Sequence, residues 1–153
     1  MLAQYFAVLF PDTYENFSKA FAAGVWVKED PGPWLGRALI YKLQGCLHID
    51  NKDEGPTVSF PCGFFDGGAM LGPDFDAKFI YSPGHICFFE SADVYHMVTK
   101  FTIPPYHSSK HKCTPGRIGS VFFSLSKSLK DLQDKYAGWA SIDKFGIHAA
   151  PLL

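Results

Sequence analysis

The hydrophobic residues of this chain first recur at the spacing of a helix. Tyr14, Phe17 and Phe21 lie three and four residues apart, which places them on one helical face. A glycine ends this pattern, so the sequence predicts an N-terminal helix over about 12–23. Helical spacing returns near the end of the chain and predicts a C-terminal helix over about 127–137.

From Gly36 the hydrophobic period changes to two, which is the spacing of a strand with one buried face. Ala38 and Ile40 then share one face, and Leu39 and Tyr41 share the other. Turn signals rich in glycine, proline, asparagine and aspartate separate further short runs of β-like sequence. These runs are 57–65, 69–71, 79–81, 86–90, 94–101 and 117–124. Many short strands at regular spacing predict an all-β sandwich or jelly roll between the two helices.

Length and charge narrow the class of protein. The chain has 153 residues, enough for one well-packed domain over 1–153 and too few for two of ordinary size. A formal net charge of -1 gives no overall attraction to nucleic acid or to an anionic membrane, so any contact with nucleic acid must be local.

The first residues carry no signal for secretion. No run reaches the length of a membrane span, and the apolar start lacks a basic leader and a cleavage site. We therefore expect an intracellular protein, nuclear or cytoplasmic, and a monomer. Patterned structure begins almost at Met1, so the chain is either a short protein in itself or the catalytic end of a longer one.

The four cysteines do not form a recognisable motif. Cys46, Cys62, Cys87 and Cys113 lack Cys-x-x-Cys spacing, and three of them lie in apolar or strand-like surroundings. This pattern predicts reduced, mostly buried thiols rather than a disulfide framework.

A His-x-Asp sequence provides the first candidate chemistry. Side chains two residues apart on a strand point to the same face, so His48 and Asp50 can converge on one cation. A second histidine from elsewhere, for which His96 is the best candidate, would complete a two-histidine, one-carboxylate set that leaves positions open on iron. A His-x-Asp alone is common by chance, and a structural zinc site built from the same residues is the alternative.

An arginine opens the last predicted strand. Alternation places Arg117 and Gly119 on the same face as Val121 and Phe123. If that face is the interior, the guanidinium needs an anion, which either a protein carboxylate or the carboxylate of a small cosubstrate would supply through paired hydrogen bonds.

Other histidines are weaker candidates. His85 follows a Pro-Gly pair, which predicts a turn or surface position. His107, His111 and Cys113 would bind zinc if one more ligand joined them. A polar loop whose positive charges touch phosphate fits the same segment better.

The order of these features resembles that of the iron(II)- and 2-oxoglutarate-dependent dioxygenases. The chain presents His-x-Asp, a Gly-Gly turn, a Pro-Gly turn before an apolar strand, a later histidine and then an arginine, and the resemblance runs over about 25–124. More narrowly, five segments resemble the fungal branch of the TET/JBP-type oxygenases. They are Gly24-Val25-Trp26-Val27-Lys28-Glu29-Asp30-Pro31-Gly32-Pro33, Gly36-Arg37-Ala38, Tyr41-Lys42-Leu43-Gln44-Gly45, Tyr81-Ser82-Pro83-Gly84-His85-Ile86 and Thr114-Pro115-Gly116-Arg117-Ile118-Gly119-Ser120-Val121-Phe122-Phe123.

This resemblance implies a fold, an activity and a set of site residues. The implied fold is mainly β, a double-stranded β-helix of the jelly-roll or cupin-like type, with flanking N-terminal and C-terminal helices. The implied activity is the oxidation of 5-methylcytosine or a related 5-methylpyrimidine in nucleic acid, as in DNA demethylation, with iron(II), 2-oxoglutarate and O2. His48, Asp50 and His96 would be the catalytic iron ligands, and Arg117 would bind the distal carboxylate of 2-oxoglutarate.

One position departs from the family pattern. Several family members have a small hydroxyl residue two places after the arginine, where this chain has Gly119. The cosubstrate would lose one hydrogen bond there, which weakens its affinity without abolishing binding. Two alternatives stay open: an oxygenase of the same fold that acts on RNA, protein or a small molecule, and a non-catalytic ligand-binding domain.

Overall fold

The structure, a computed structural model, describes residues 1–24, 30, 32–41, 43–107, 109 and 115–141. The helices in this part of the chain are α1 (Leu2–Leu9), α2 (Pro11–Ala23) and α3 (Ser126–Leu132), with short 3-10 helices at Pro73–Phe75 and Trp139–Ser141. The strands are β1 (Gly36–Tyr41), β2 (Thr57–Phe64), β3 (Asp66–Gly67), β4 (Met70–Gly72), β5 (Ala77–Phe79), β6 (Cys87–Phe89), β7 (Met97–Val98), β8 (Phe101–Thr102) and β9 (Gly116–Phe123).

The chain divides into two compact units. One consists of Met1–Gly36 with Ser124–Leu153, and the other is Arg37–Phe123. That the whole chain is a single domain stays a prediction. None of the helices in the described ranges is both long and apolar enough to cross a membrane.

The first unit is built around the ring of Phe6. This side chain is fully buried, and its ring centroid lies 4.8 Å from that of Trp34 and 5.4 Å from that of Phe17. The predicted helix over 12–23 is confirmed as α2, which begins at Pro11 because proline is favoured in the first helical turn. The sequence analysis missed α1, whose eight residues are too few and too uniformly apolar to show a helical face.

The C-terminal helix is shorter than predicted. The sequence predicts a helix over about 127–137, whereas α3 ends at Leu132. Beyond it the chain turns, and the N–H of Gly138 donates a 2.7 Å hydrogen bond to the carbonyl of Ala22 in α2. A tertiary hydrogen bond therefore replaces the last helical turns, which a local pattern cannot predict.

The second unit contains three antiparallel β arrangements. The largest sheet has the strand order β1-β9-β2-β6, and the smaller ones are β3-β8 and β5-β4-β7. Strands β2 and β9 are antiparallel, with Gly63 opposite Arg117 and Ser59 opposite Val121. The predicted short strands are thus confirmed as several antiparallel sheets.

The described cysteines are free, as predicted, but the expectation that most are buried is wrong. Cys46 and Cys62 are exposed and Cys87 is half-buried. Cys46 lies in the segment between β1 and His48, and the alternation of β2 turns Cys62 away from its buried neighbour Pro61.

Candidate active site

His48, Asp50 and His96 come together in the second unit. One ligand atom from each lies within 4.8 Å of the other two. The Nε2 atom of His48 is 3.8 Å from Oδ1 of Asp50, and Nε2 of His96 is 3.6 Å from Oδ2 of the same carboxylate. Two ligand atoms each about 2.1 Å from a cation are at most about 4.2 Å apart, so a metal ion fits after small side-chain movements.

A two-residue β-bridge brings the histidines together. The N–H of His48 donates to the carbonyl of His96 at 3.1 Å, and the N–H of His96 returns a bond of 2.9 Å to the carbonyl of His48. The two imidazole centroids are consequently 4.4 Å apart. The expectation that the His-x-Asp closes the first strand is wrong, because β1 ends at Tyr41 and the bridge to His96 positions His48 instead.

Backbone carbonyls orient both imidazole rings. The Nδ1 of His48 is 2.7 Å from the carbonyl oxygen of Cys46, and the Nδ1 of His96 is 3.0 Å from that of Val94. A carbonyl oxygen can only accept, so each Nδ1 carries the proton and donates. Both Nε2 atoms therefore direct a lone pair towards Asp50, which is the tautomer a metal ligand needs.

The segment that carries Asp50 is fixed by hydrogen bonds to a neighbouring turn. The N–H of Asp50 donates to the carbonyl of Ser91 at 2.8 Å. Oδ2 of Asp53 accepts from the buried hydroxyls of Ser91 at 3.1 Å and Thr57 at 3.3 Å. Burial raises the pKa of the Asp53 carboxyl above its usual value, and the hydrogen bond from Ser91 acts in the opposite direction. These contacts limit the movement of Asp50 before any ligand binds.

Arg117 is buried without a protein anion. Its side chain is 4% exposed, its Nε has no hydrogen-bond partner, and no carboxylate of the described residues forms an ion pair with it. The guanidinium carbon lies 5.5 Å from the ring centre of Tyr81 and 5.7 Å from those of Phe65 and Phe101. Burial lowers the pKa of Arg117, but a guanidinium with so high an ordinary pKa remains charged at neutral pH.

One cavity joins the arginine to the three clustered side chains. It measures about 340 Å³, and His48, Asp50, His96 and Arg117 all line it. As the alternation of β9 predicts, Gly119, Val121 and Phe123 line it as well, and so do Ala38 and Ile40 of β1. The remaining wall is largely apolar: Leu43, Met70, Phe89, Met97 and Val98. The cavity can thus hold an anionic molecule between a cation and a guanidinium, shielded from water.

The weaker candidates do not join this cluster. His85 is exposed in a turn, where its Nδ1 lies 3.3 Å from the N–H of Ser82, as predicted for a turn histidine. His107 is exposed, while His111 and Cys113 lie outside the described residues, so zinc binding by this segment stays a prediction.

Three polar residues of the site were not identified from the sequence. Asp53 and Ser59 line the cavity, and the buried hydroxyl of Tyr81 is hydrogen-bonded to that of Ser59. The sequence offered a weak signal for two of them: Asp53 stands one turn after Asp50, and Tyr81 begins one of the segments on which the family resemblance rests. Nothing in the sequence singles out Ser59.

The comparisons with known proteins show a fold. The sequence matches no known family model and no curated protein. The structure is similar to that of NgTET1 in complex with 5mC DNA, with a TM-score of 0.52 and 23% sequence identity over 68% of this chain. The match spans 37% of the NgTET1 chain. The chain therefore has a TET-like dioxygenase fold, and within this fold His48, Asp50 and His96 converge on a single point.

Proposed function

We propose that this protein is an iron(II)- and 2-oxoglutarate-dependent dioxygenase that oxidises the methyl group of 5-methylcytosine, or of a related 5-methylpyrimidine, in nucleic acid. One observation carries the proposal. A buried arginine without a protein anion lines the same cavity as a cluster of two histidines and one aspartate.

The donor set suits iron(II). Two neutral imidazoles and one carboxylate form the two-histidine, one-carboxylate set that leaves positions open on non-haem iron. A structural zinc site usually has four protein ligands. In the described residues this group contains only three, His48, Asp50 and His96, which favours a catalytic ion over a structural one.

The arginine suits a dicarboxylate cosubstrate. Arg117 would accept the distal carboxylate in paired, charge-assisted hydrogen bonds, and the chelating end of 2-oxoglutarate would face the metal ligands. The rings of Phe65, Tyr81 and Phe101 hold the guanidinium in place and exclude water from it. The absence of a protein carboxylate at Arg117 favours this reading over the structural salt bridge that the sequence left open.

The bound groups supply one reaction: with O2, 2-oxoglutarate is converted to succinate and CO2 while a substrate C–H becomes C–OH. The chain supplies position and environment. Asp50, held by its hydrogen bond to Ser91, fixes one ligand direction, and the β-bridge of His48 and His96 fixes the other two. The apolar wall keeps water from the reacting atoms. The three sheets and the likeness to NgTET1 support a double-stranded β-helix as the framework.

The nucleic-acid substrate rests on the likeness to NgTET1, whose structure contains 5mC DNA. A cavity of about 340 Å³ lies near the lower end of the range for small-molecule sites, roughly 300–1,000 Å³. It has room for a cosubstrate and one base but not for a duplex, so a methylated base would have to be flipped out of the helix. The side chains of His48 and Asp50 are 49% and 36% exposed, which leaves the ligand cluster open to such a base.

The net charge favours a second candidate, an oxygenase of the same fold with another substrate. A formal charge of -1 provides no general attraction for phosphate, whereas nucleic-acid-binding domains usually carry a basic surface. RNA, a protein side chain or a small molecule are the alternatives.

The test is incubation of the protein with iron(II), ascorbate, 2-oxoglutarate and a duplex that contains 5-methylcytosine, followed by mass spectrometry of the nucleosides. Oxidised cytosines are expected, and Asp50→Ala should abolish them. Asp93→Ala is the matched control, because it removes an exposed carboxylate from the loop that leads to His96. Succinate without an oxidised base would retain the oxygenase and exclude this substrate. Absence of both products would leave the non-catalytic ligand-binding domain.

A further inference from the structure

We propose that Ser59 is a second binding residue for the carboxylate held by Arg117, and that Tyr81 positions the Ser59 hydroxyl. The inference rests on the proposed function, because it concerns the distal carboxylate of a 2-oxo dicarboxylic acid. It names the hydrogen-bond donor that replaces the hydroxyl missing at Gly119.

Strand register places Ser59 beside the arginine site. On β2, Ser59 pairs with Val121 of β9, and Pro61 pairs with Gly119. Cross-strand partners point to the same face of a sheet, so the Ser59 side chain faces the cavity together with Val121 and lies diagonal to Gly119. Ser59 lines the cavity that Arg117 and Gly119 also line.

The space beside the guanidinium is open at Gly119. A Cβ at this position would lie 3.5 Å from an Nη atom of Arg117 and 3.5 Å from the Cβ of Ile40, which are ordinary contact distances. A hydroxyl residue there would fit and would reach the anion bound by the guanidinium. With glycine in this place, the cavity wall needs a donor from another strand.

Hydrogen-bond accounting leaves one proton for a ligand. The hydroxyls of Ser59 and Tyr81 are bonded to each other, and the pair has two O–H donors of which its own bond uses one. The phenol is the more acidic hydroxyl and the better donor, so the Tyr81 O–H donates to Ser59 Oγ. The Ser59 proton is then available to an acceptor in the cavity.

The surroundings of Tyr81 keep it a donor. Its side chain is 2% exposed, and this burial raises the pKa of Tyr81 to about 12. The phenol therefore remains protonated at neutral pH. Its ring centre also lies 5.5 Å from the guanidinium carbon of Arg117, so one side chain contacts both groups that would bind the carboxylate.

The experiment compares two ligands that differ only at the distal end. Calorimetric titration of the full chain, loaded with Co(II), measures the Kd of 2-oxoglutarate and of 2-oxopentanoate, which lacks the distal carboxylate. Ser59→Ala should weaken 2-oxoglutarate binding about tenfold and change 2-oxopentanoate binding less than about twofold. Tyr81→Phe keeps the ring beside Arg117 and should weaken 2-oxoglutarate selectively by a smaller factor. Ser120→Ala, a buried serine on the opposite face of β9, is the matched control and should change neither.

A rescue variant separates binding from folding. Gly119→Ser in the Ser59→Ala background should restore most of the lost 2-oxoglutarate affinity, because it returns a hydroxyl to the guanidinium. The inference is overturned if Ser59→Ala and Tyr81→Phe leave the 2-oxoglutarate Kd unchanged, or weaken both ligands equally. If that happens while Arg117→Met still weakens 2-oxoglutarate, the proposed function stands without it. Absence of 2-oxoglutarate binding by the unchanged protein would refute both.

Discussion

Replacing Arg117 with methionine separates the two explanations of this buried charge. Methionine keeps an unbranched stem among the rings of Phe65, Tyr81 and Phe101 while it removes the guanidinium. If the arginine served a structural salt bridge, its removal would strand a buried carboxylate and cost about 3–5 kcal/mol of the free energy of unfolding. No such carboxylate pairs with it among the described residues, and its Nε has no hydrogen-bond partner.

We therefore expect little loss of stability and a large loss of cosubstrate binding. Removal of a desolvated charge without a partner should leave the free energy of unfolding within about 1 kcal/mol of its original value, or raise it. Loss of a charge-assisted hydrogen bond worth about 1.5–3 kcal/mol should weaken 2-oxoglutarate binding roughly 10- to 150-fold. Arg117→Lys is the charge-conserving control and should lie between the two, because lysine retains the charge without the planar fork.

The assay is urea unfolding of the metal-free protein together with calorimetric titration of 2-oxoglutarate. A variant that loses about 3–5 kcal/mol of stability and keeps its 2-oxoglutarate affinity would refute the reasoning and assign Arg117 to a structural ion pair.

Three further predictions concern the metal ligands, the backbone and the pH dependence. Asp50→Ala should abolish iron(II) and Co(II) binding in a titration while the thermal unfolding midpoint of the metal-free protein stays nearly unchanged; retained metal binding would remove Asp50 from the ligand set. Gly63→Ala should destabilise β2 strongly in urea unfolding, because φ is +106° and the new Cβ would lie 2.1 Å from the carbonyl oxygen of Gly116, whereas Gly84→Ala, with φ of +85° and no atom within 4 Å, should cost only about 1–2 kcal/mol. Burial, with Asp93 and Glu54 adding to it, raises the pKa of Glu90 above its usual value, so the folded state holds this proton at pH values where the unfolded state has lost it, and stability falls as pH rises through that window. The stability gain from Glu90→Gln, measured by urea unfolding from about pH 4 to pH 7, should grow with pH and then level off, and a constant difference would contradict this assignment.

Local periodicity predicted several parts of the fold correctly. The helical spacing before Gly24 specified α2, and alternation placed Arg117 and Gly119 on the inner face of β9. These predictions hold because the face on which a residue lies depends only on the repeat of the element that contains it. Where a tertiary contact replaces the local pattern, as at the end of α3, the sequence gave no warning.

The sequence by itself determined the chemical types at the site: two imidazoles and a carboxylate able to bind a cation, and an arginine able to bind an anion. Tertiary structure alone decided their geometry. The β-bridge between His48 and His96, the missing protein partner of Arg117 and the hydroxyl pair of Ser59 and Tyr81 all depend on which segments pair and in which register. Pairing between distant segments is set by the packing of the whole unit, and no local repeat records it.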